Sequence, residues 1–372
     1  MLRLISITLL LSFASCKAVA GVSLNPIWQF QSNTPFYQAP IIHQDKIVFL
    51  STASEISAIS ADDGTLLWRK NHDHEIWNLS LHVKGGQHYY GSKDKKICAI
   101  GLETGNDLWC SQLEKNMQRA PLQQQDRIYV VTADLGPGLP GDRTQGGKIH
   151  ALNKNSGVLL WSINTNSYAM QSPIVKDGVL YVAGSYYDPK IDVDEGGPVS
   201  ITAIDTQNAQ QKWQFISEDG FIKSLYAYEN FLAFIGYQDF VSVLDTHSGK
   251  LLWRRDTGNW VPSISGFEDA LYYGSANTNV HAWDITSGAE LWKYNIGGES
   301  FNYTLGSPIR IDDKLILLSQ RGWLTILNAK SGKLLLQEKL GVSAHIGLNA
   351  SQNLIVIGDT SGTIHAYRIG GL

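Results

Sequence analysis

The sequence predicts an all-β fold: an eight-bladed β-propeller closed by an N-terminal strand that completes the last blade. Three observations predict it. One motif recurs along most of the 372 residues, its copies lie about 40 residues apart, and no stretch carries a helical period. The motif reads ISAISADDGTLLW at 56–68, ICAIGLETGNDLW at 97–109, IHALNKNSGVLLW at 149–161 and ITAIDTQNAQQKW at 201–213. It returns as VSVLDTHSGKLLW (241–253), VHAWDITSGAELW (280–292) and LTILNAKSGKLLL (324–336). An eighth beginning, IHAYRIGGL, occupies 364–372, and an orphan ending, NPIWQF, occupies 25–30.

Each part of the motif has a physical reason. The alternating apolar run is a strand with one face toward a core. Gly64, Gly105, Gly157, Gly249, Gly288 and Gly332 supply a positive-φ turn position. Asp205, Asp245 and Asp284, with Asn153 and Asn328, can accept bonds from the turn's backbone amides. A second strand follows and ends in Trp. Upstream lie two more strand-like runs, as in SPIVKDGVLYVAG (172–184) and SPIRIDDKLILLS (307–319), each broken by a hairpin turn. The unit is therefore a four-stranded antiparallel sheet. Such a sheet cannot bury both faces alone, but blades stacked around an axis can. The Trp positions are 28, 68, 109, 161, 213, 253 and 292, with Leu336 in the eighth place, and they suit the gap between neighbouring blades. The strand bearing Trp28 is expected to complete the blade begun by residues 342–372, which hides two sheet edges.

Residues 1–20 read as a secretory signal peptide, with Arg3 in a short positive region and an apolar run from Leu4 to Ala14 too short to span a bilayer. Two cleavage positions compete. Ala18-Val19-Ala20 precedes Gly21, and Phe13-Ala14-Ser15-Cys16 resembles a lipobox in which Cys16 would be lipidated. Residues 21–372 then form a single propeller domain, exported to a bacterial periplasm and, if Cys16 is lipidated, anchored to the outer membrane. Charged residues make up only 17%, which excludes a disordered chain or a long coiled coil. A net charge of −4 without a basic tract excludes a nucleic-acid partner. Three cysteines are too few for a disulfide scaffold or a zinc cluster. Cys98 and Cys110 flank the turn near Thr104-Gly105 and would lie nearly opposite each other. A cross-strand disulfide and two free thiols both stay open.

The repeat Ala-x-Asp-x-x-Thr/Ser-Gly-x-x-x-Trp resembles the PQQ-type propeller repeat over nearly the whole chain from about residue 25. That repeat is shared by quinoprotein dehydrogenases and by the BamB family of outer-membrane assembly lipoproteins. Length, blade count, the lipobox-like segment and the closing strand fit the BamB family. The resemblance implies a non-catalytic envelope scaffold that assists β-barrel assembly in the outer membrane, with the barrel-assembly complex as partner. The quinoprotein branch implies PQQ with calcium and typically an adjacent Cys-Cys pair, which this chain lacks. The BamB family's Leu-Arg-Gly stretch before a Ser-Pro is matched here only by Ser172-Pro173.

Strand alternation puts the blade-to-blade connections on the same face as the loops joining second and third strands, with the Ser/Thr-Gly turns opposite. Two adjacent units are about twelve residues longer than the rest, through inserts at 133–148 and 185–200 between their second and third strands. Paired long loops on a rigid scaffold are a place for function. The second insert holds Asp192, Asp194 and Glu195, weak candidates for a hard cation and without EF-hand spacing. Aromatic residues recur on that face: Tyr37, Trp77, Tyr168, Phe221, Trp260, Phe301 and Tyr303, with Trp323 beside Arg321 in another loop. Aromatic anchors with Arg dominate protein interfaces. No catalytic constellation is legible. His72 and His74 fall in a polar loop, and His150, His281 and His365 share one repeat position, which makes them structural. Three functions follow: a monomeric scaffold for envelope proteins without cofactor, a small PQQ- and calcium-dependent dehydrogenase, and a sugar- or peptide-binding envelope module.

Overall fold

The structure is a computed structural model. It describes residues 17–18, 22–32, 34–36, 38–52, 54–71, 76, 82–84, 87–117, 119–133, 146–168, 171–186, 198–217, 220, 222–237, 239–297, 306–342 and 347–371. Eight antiparallel sheets follow one another along the chain, and no helix occurs among the described residues. Blade 1 shows the pattern, with strands Ile41–His43, Lys46–Leu50, Glu55–Ser60 and Leu66–Asn71 hydrogen-bonded in that order. Blades 2 to 7 start at residues 82, 116, 167, 222, 265 and 309. Blade 8 takes three strands from 348–370 and its fourth, Ser23–Gln31, from the N-terminus, with Trp28 opposite Ala366 and Phe30 opposite Ile364. The ring therefore closes as the orphan ending predicts.

The core is divided among the joints. Eight apolar clusters each combine side chains of two successive blades, for example Val48, Leu50 and Trp68 with Tyr90, Ile100 and Leu102. Second and third strands are buried on both faces, while fourth strands face outward and alternate. Each repeat Trp stands in a fourth strand and donates its indole N–H to a carbonyl in the next blade's third turn. Trp28, Trp68, Trp109, Trp161, Trp213, Trp253 and Trp292 reach Ala61, Leu102, Lys154, Thr206, Thr246, Ile285 and Ala329 at 2.6–3.1 Å. The turn glycine lies flat on the indole. A Cβ at Gly105 would come within 2.5 Å of the Trp68 ring, and its φ of +67° already disfavours any other residue. Blade 4 departs from the rule, with Ala209 held at φ 62° in the turn whose Thr206 O accepts from Trp161.

The eighth joint is built differently. Blade 8 has no third turn, because its third and fourth strands come from opposite ends of the chain. There is nothing for a Trp on blade 7 to dock under, and Leu336 fills the place, buried with Val22 and Leu24 packed on the same cluster. Lys17–Ala18 adds a short edge strand outside, pairing with Gln337 and Leu336. A cut before Cys16 leaves that edge strand in place, and a cut before Gly21 removes it.

Cys98 and Cys110 face each other across the third and fourth strands of blade 2 and form a disulfide. His150, His281 and His365 all sit in third strands, the first two fully buried. His150 bonds Thr132 Oγ1 at 2.9 Å, His281 bonds Glu290 at 2.8 Å, and His365 bonds Asp359 at 2.8 Å.

Candidate functional site

The two faces of the ring obey different rules. On one, among the described residues, the third turns of blades 1 and 3 to 7 are fastened to the first turn of their own blade, as in Ala61 N–H to Asp45 O and Ile285 N–H to Asp269 O, at 2.8 and 2.7 Å. Asn153, Asp205, Asp245, Asp284 and Asn328 accept from turn amides at 2.7–3.3 Å, as their spacing predicts. The Gln207 amide on Asp205, and the Ser248 hydroxyl and then its amide on Asp245, favour the ionised form, so both carboxyls titrate below the usual range.

The opposite face carries the blade connections and the second-to-third loops. Five connections tie back to the loop of the blade they leave: Ser32 to Gly362, Leu113 to Lys95, Thr257 to Asp239, Ile296 to Thr278 and Leu340 to Gly322. Blades 3 and 4 rise higher here. Their second and third strands lengthen to Arg127–Ala133, Gly147–Asn153, Val179–Tyr186 and Val199–Asp205, and the short strands Asn116–Met117 and Ser167–Tyr168 pair beside them. The inserts leave from the tips of these ladders, on neighbouring blades and one face. Their bases are pinned by a Lys148–Glu114 ion pair, by Lys115 Nζ donating to Gly146 O at 3.1 Å, and by the Ser167 and Ser200 hydroxyls at 2.5 Å.

Over blades 5 and 6 this face carries two exposed rings. Trp260, in their connection, is 41% exposed, and Tyr237, in the blade 5 loop, is 57% exposed. Between them stands Lys223, from the first strand of blade 5, almost wholly buried. Its ammonium lies 5.4 Å from the Trp260 ring centroid and 6.0 Å from that of Tyr237. It donates to Asp239 Oδ1 and, at 2.8 Å, to Val261 O, while Val261 N–H donates to the same Asp239 oxygen at 3.1 Å. A buried cation is tolerable because a carboxylate, a carbonyl and two aromatic faces surround it. The result is a pillar that holds two large rings in the solvent in fixed positions. Such rigid aromatic surface loses little entropy when a partner covers it.

Of the residues singled out from sequence, Trp260 and Arg321 are exposed on this face. Trp323 is not a loop residue. It opens the third strand of blade 7, Trp323–Asn328, half-buried, because its N–H reaches Ser319 Oγ at 3.1 Å and starts the ladder opposite Lys339. Tyr168 lies in the short strand opposite Ser185, on the same face. Tyr37, Trp77, Phe221, Phe301, Tyr303, Asp192, Asp194, Glu195 and Cys16 lie outside the described residues. Among the described residues no group of three metal-ligating side chains comes together. Lys223 and Tyr237 were missed from sequence. The one available signal was a lone charged residue in a mostly apolar and aromatic strand, IKSLYAY.

Comparison with known proteins fits this geometry. The chain is 21% identical to the outer membrane protein assembly factor BamB of Moranella endobia, over 88% of this chain and 84% of that one. It is also 21% identical to BamB of Yersinia pestis, over 84% and 79%. Among solved structures it superposes on BamB from Moraxella catarrhalis with a TM-score of 0.68 at 17% identity, covering 93% of this chain and 98% of that one. A quinohemoprotein alcohol dehydrogenase from Pseudomonas putida shares the ring at a TM-score of 0.66 and 14% identity, with 76% of that chain covered against 94% of this one. The sequence pattern of the outer membrane protein assembly factor BamB family matches residues 52–137, 142–225 and 229–366, and the chain belongs to that family.

Proposed function

We propose that this chain is a non-catalytic scaffold of the bacterial envelope that helps β-barrel proteins assemble in the outer membrane. The observation that carries this reading is the family match, which runs from residue 52 to residue 366 with two short gaps and so reaches all eight blades rather than one repeat. The loop-rich face supports it: fixed exposed aromatics over blades 5 and 6 and the lengthened strands of blades 3 and 4 set it apart from the repeating rim, as a surface for holding another protein would be. In this reading the chain works as an exported monomer without PQQ or calcium, and a lipid on Cys16 would keep it at the membrane.

The test is affinity capture of tagged full-length protein from gently solubilised envelopes, read by mass spectrometry. Near-stoichiometric recovery of barrel-assembly components is expected, and recovery of the bait alone would overturn the reading. Incubation with PQQ and calcium is expected to leave the ultraviolet-visible spectrum that of the added cofactor, with no dye reduction by alcohols or sugars.

A further inference from the structure

The other face of the ring also departs from its own repeat, at one place. First strands surround the axis, and among the described residues those of blades 1 and 3 to 8 end in a two-residue turn on the turn face. In blades 1, 3 and 4 the acidic residue of that turn is matched by a neighbouring cation: Asp45 by Lys46, Asp126 by Arg127 and Asp177 by Lys176. Blade 8 has the uncharged Gln352-Asn353. Blades 5 to 7 instead carry Glu229, Glu268, Asp269, Asp312 and Asp313. Of these, only Asp313 has an ion-pair partner among the described residues, namely Lys314. Against these five carboxylates stand Arg310 and Lys314, which leaves an excess of negative charge on this side of the channel mouth.

The same stretch is aromatic. The last residue before the turn is Tyr228 in blade 5 and Phe267 in blade 6, where blades 1 and 4 have His43 and Lys176. Phe267 is 40% exposed. One side of its ring is covered by the Arg310 guanidinium at 3.9 Å, itself fixed by Asp312 O at 2.8 Å and Tyr272 Oη at 3.3 Å. Tyr226 crosses the joint to donate to Glu268 O at 3.0 Å, its ring so close to Gly266 that a Cβ there would sit 2.2 Å away. The platform is therefore tied across three blades. The carboxylates are felt nearby. The Tyr228 hydroxyl has its pKa pushed up, first by desolvation, then by the charge of Glu229 and a hydrogen bond to it, and last by Asp269 and Glu268.

We infer that this acidic, aromatic sector of the turn face is a second docking surface, for a cationic extended segment of a partner protein. The aliphatic stem of a lysine or arginine fits against the free side of Phe267, and its head reaches the carboxylates of Glu229, Glu268 and Asp269. The inference concerns the face opposite the one proposed above and stands apart from it.

The probe is a fluorescein-labelled octalysine peptide, titrated with the full-length protein at low and at physiological ionic strength and followed by anisotropy. Wild-type protein is expected to bind it. Glu268→Gln with Asp269→Asn, and separately Phe267→Ser, are each expected to weaken binding about tenfold. Asp62→Asn, which removes a turn-face charge at the rim of blade 1, is expected to change nothing. Phe267→Leu keeps the packing on Arg310 and is expected to restore most of the affinity lost in Phe267→Ser. Equal binding by all variants would mean diffuse charge attraction and overturn the inference, as would no binding by the wild type. A variant whose thermal unfolding differs from wild type is replaced by Glu229→Gln, which lies in an exposed turn.

Discussion

The two faces of this ring are made by the same strands and yet differ in what varies. The turn face repeats: seven indoles dock under seven turns, and in five of those turns Asn or Asp at one position organises the hairpin. The loop face varies: blades 3 and 4 are heightened, and Lys223, Tyr237 and Trp260 form a pillar found at blades 5 and 6. Repetition marks what the ring needs to stay closed. Departure from repetition, on either face, marks where it is free to meet something else.

That contrast can be broken first at a docked tryptophan. Trp68 is 9% exposed and its indole N–H reaches Leu102 O at 2.6 Å. Trp68→Ala is expected to cost about 3–5 kcal/mol in denaturant unfolding, from lost burial and an orphaned carbonyl. Trp260→Ala, at 41% exposure, is expected to cost less than about 1 kcal/mol. Equal losses would erase the distinction between the two classes of tryptophan.

Beneath the blade 3 insert, His150 is 3% exposed, and burial, followed by the nearby Lys148, pulls its pKa down to about 4, with Glu114 opposing. A histidine held neutral in the folded state contributes fully above its unfolded pKa. That contribution is lost as pH falls from about 6.5 to about 4, amounting to about 3 kcal/mol. His150→Gln is expected to flatten unfolding free energy over that window, as read by denaturant melts at several pH values. An unchanged slope would contradict this account of the base of the insert.

The disulfide of blade 2 closes a short loop on its fourth strand, which is also held by its ladder, by Trp109 and by Ser111 Oγ donating to Gly157 O at 2.6 Å. Replacing both cysteines by serine is expected to lower stability by about 2–3 kcal/mol. A smaller effect runs in the opposite direction. Ala209→Gly relieves a positive φ of 62° at the one turn that breaks the glycine rule, and is expected to stabilise by about 0.5–1 kcal/mol. A destabilising result would show that blade 4 has adapted around its Ala.

The ring was legible in sequence because its determinants are local and repeated. Ser/Thr-Gly, a Trp four residues later and alternation before both need only a window of about a dozen residues. Leu336 in a Trp place was legible as an exception but not as a consequence. Its reason, the missing turn of blade 8, lies at the other end of the chain, with Val22 and Leu24. The inserts were placed by unit length alone. Trp260 was named from sequence, but what holds it was not, since Lys223, Asp239 and Val261 meet across a joint and no periodicity links them. Trp323 was misplaced because an Arg-Gly-Trp run reads as a loop until the Ser319 bond starts the strand.

The central claim is that the loop-rich face, and not the repeating rim, holds the partner. The most direct test places a photo-crosslinking residue at Asn259 or Arg321 on that face, and at Ser156 or Ser287 in third turns on the rim, in cells making the full-length protein. The account predicts crosslinks to a barrel-assembly component from Asn259 or Arg321 and none from Ser156 or Ser287. Crosslinks from the rim positions alone would contradict it.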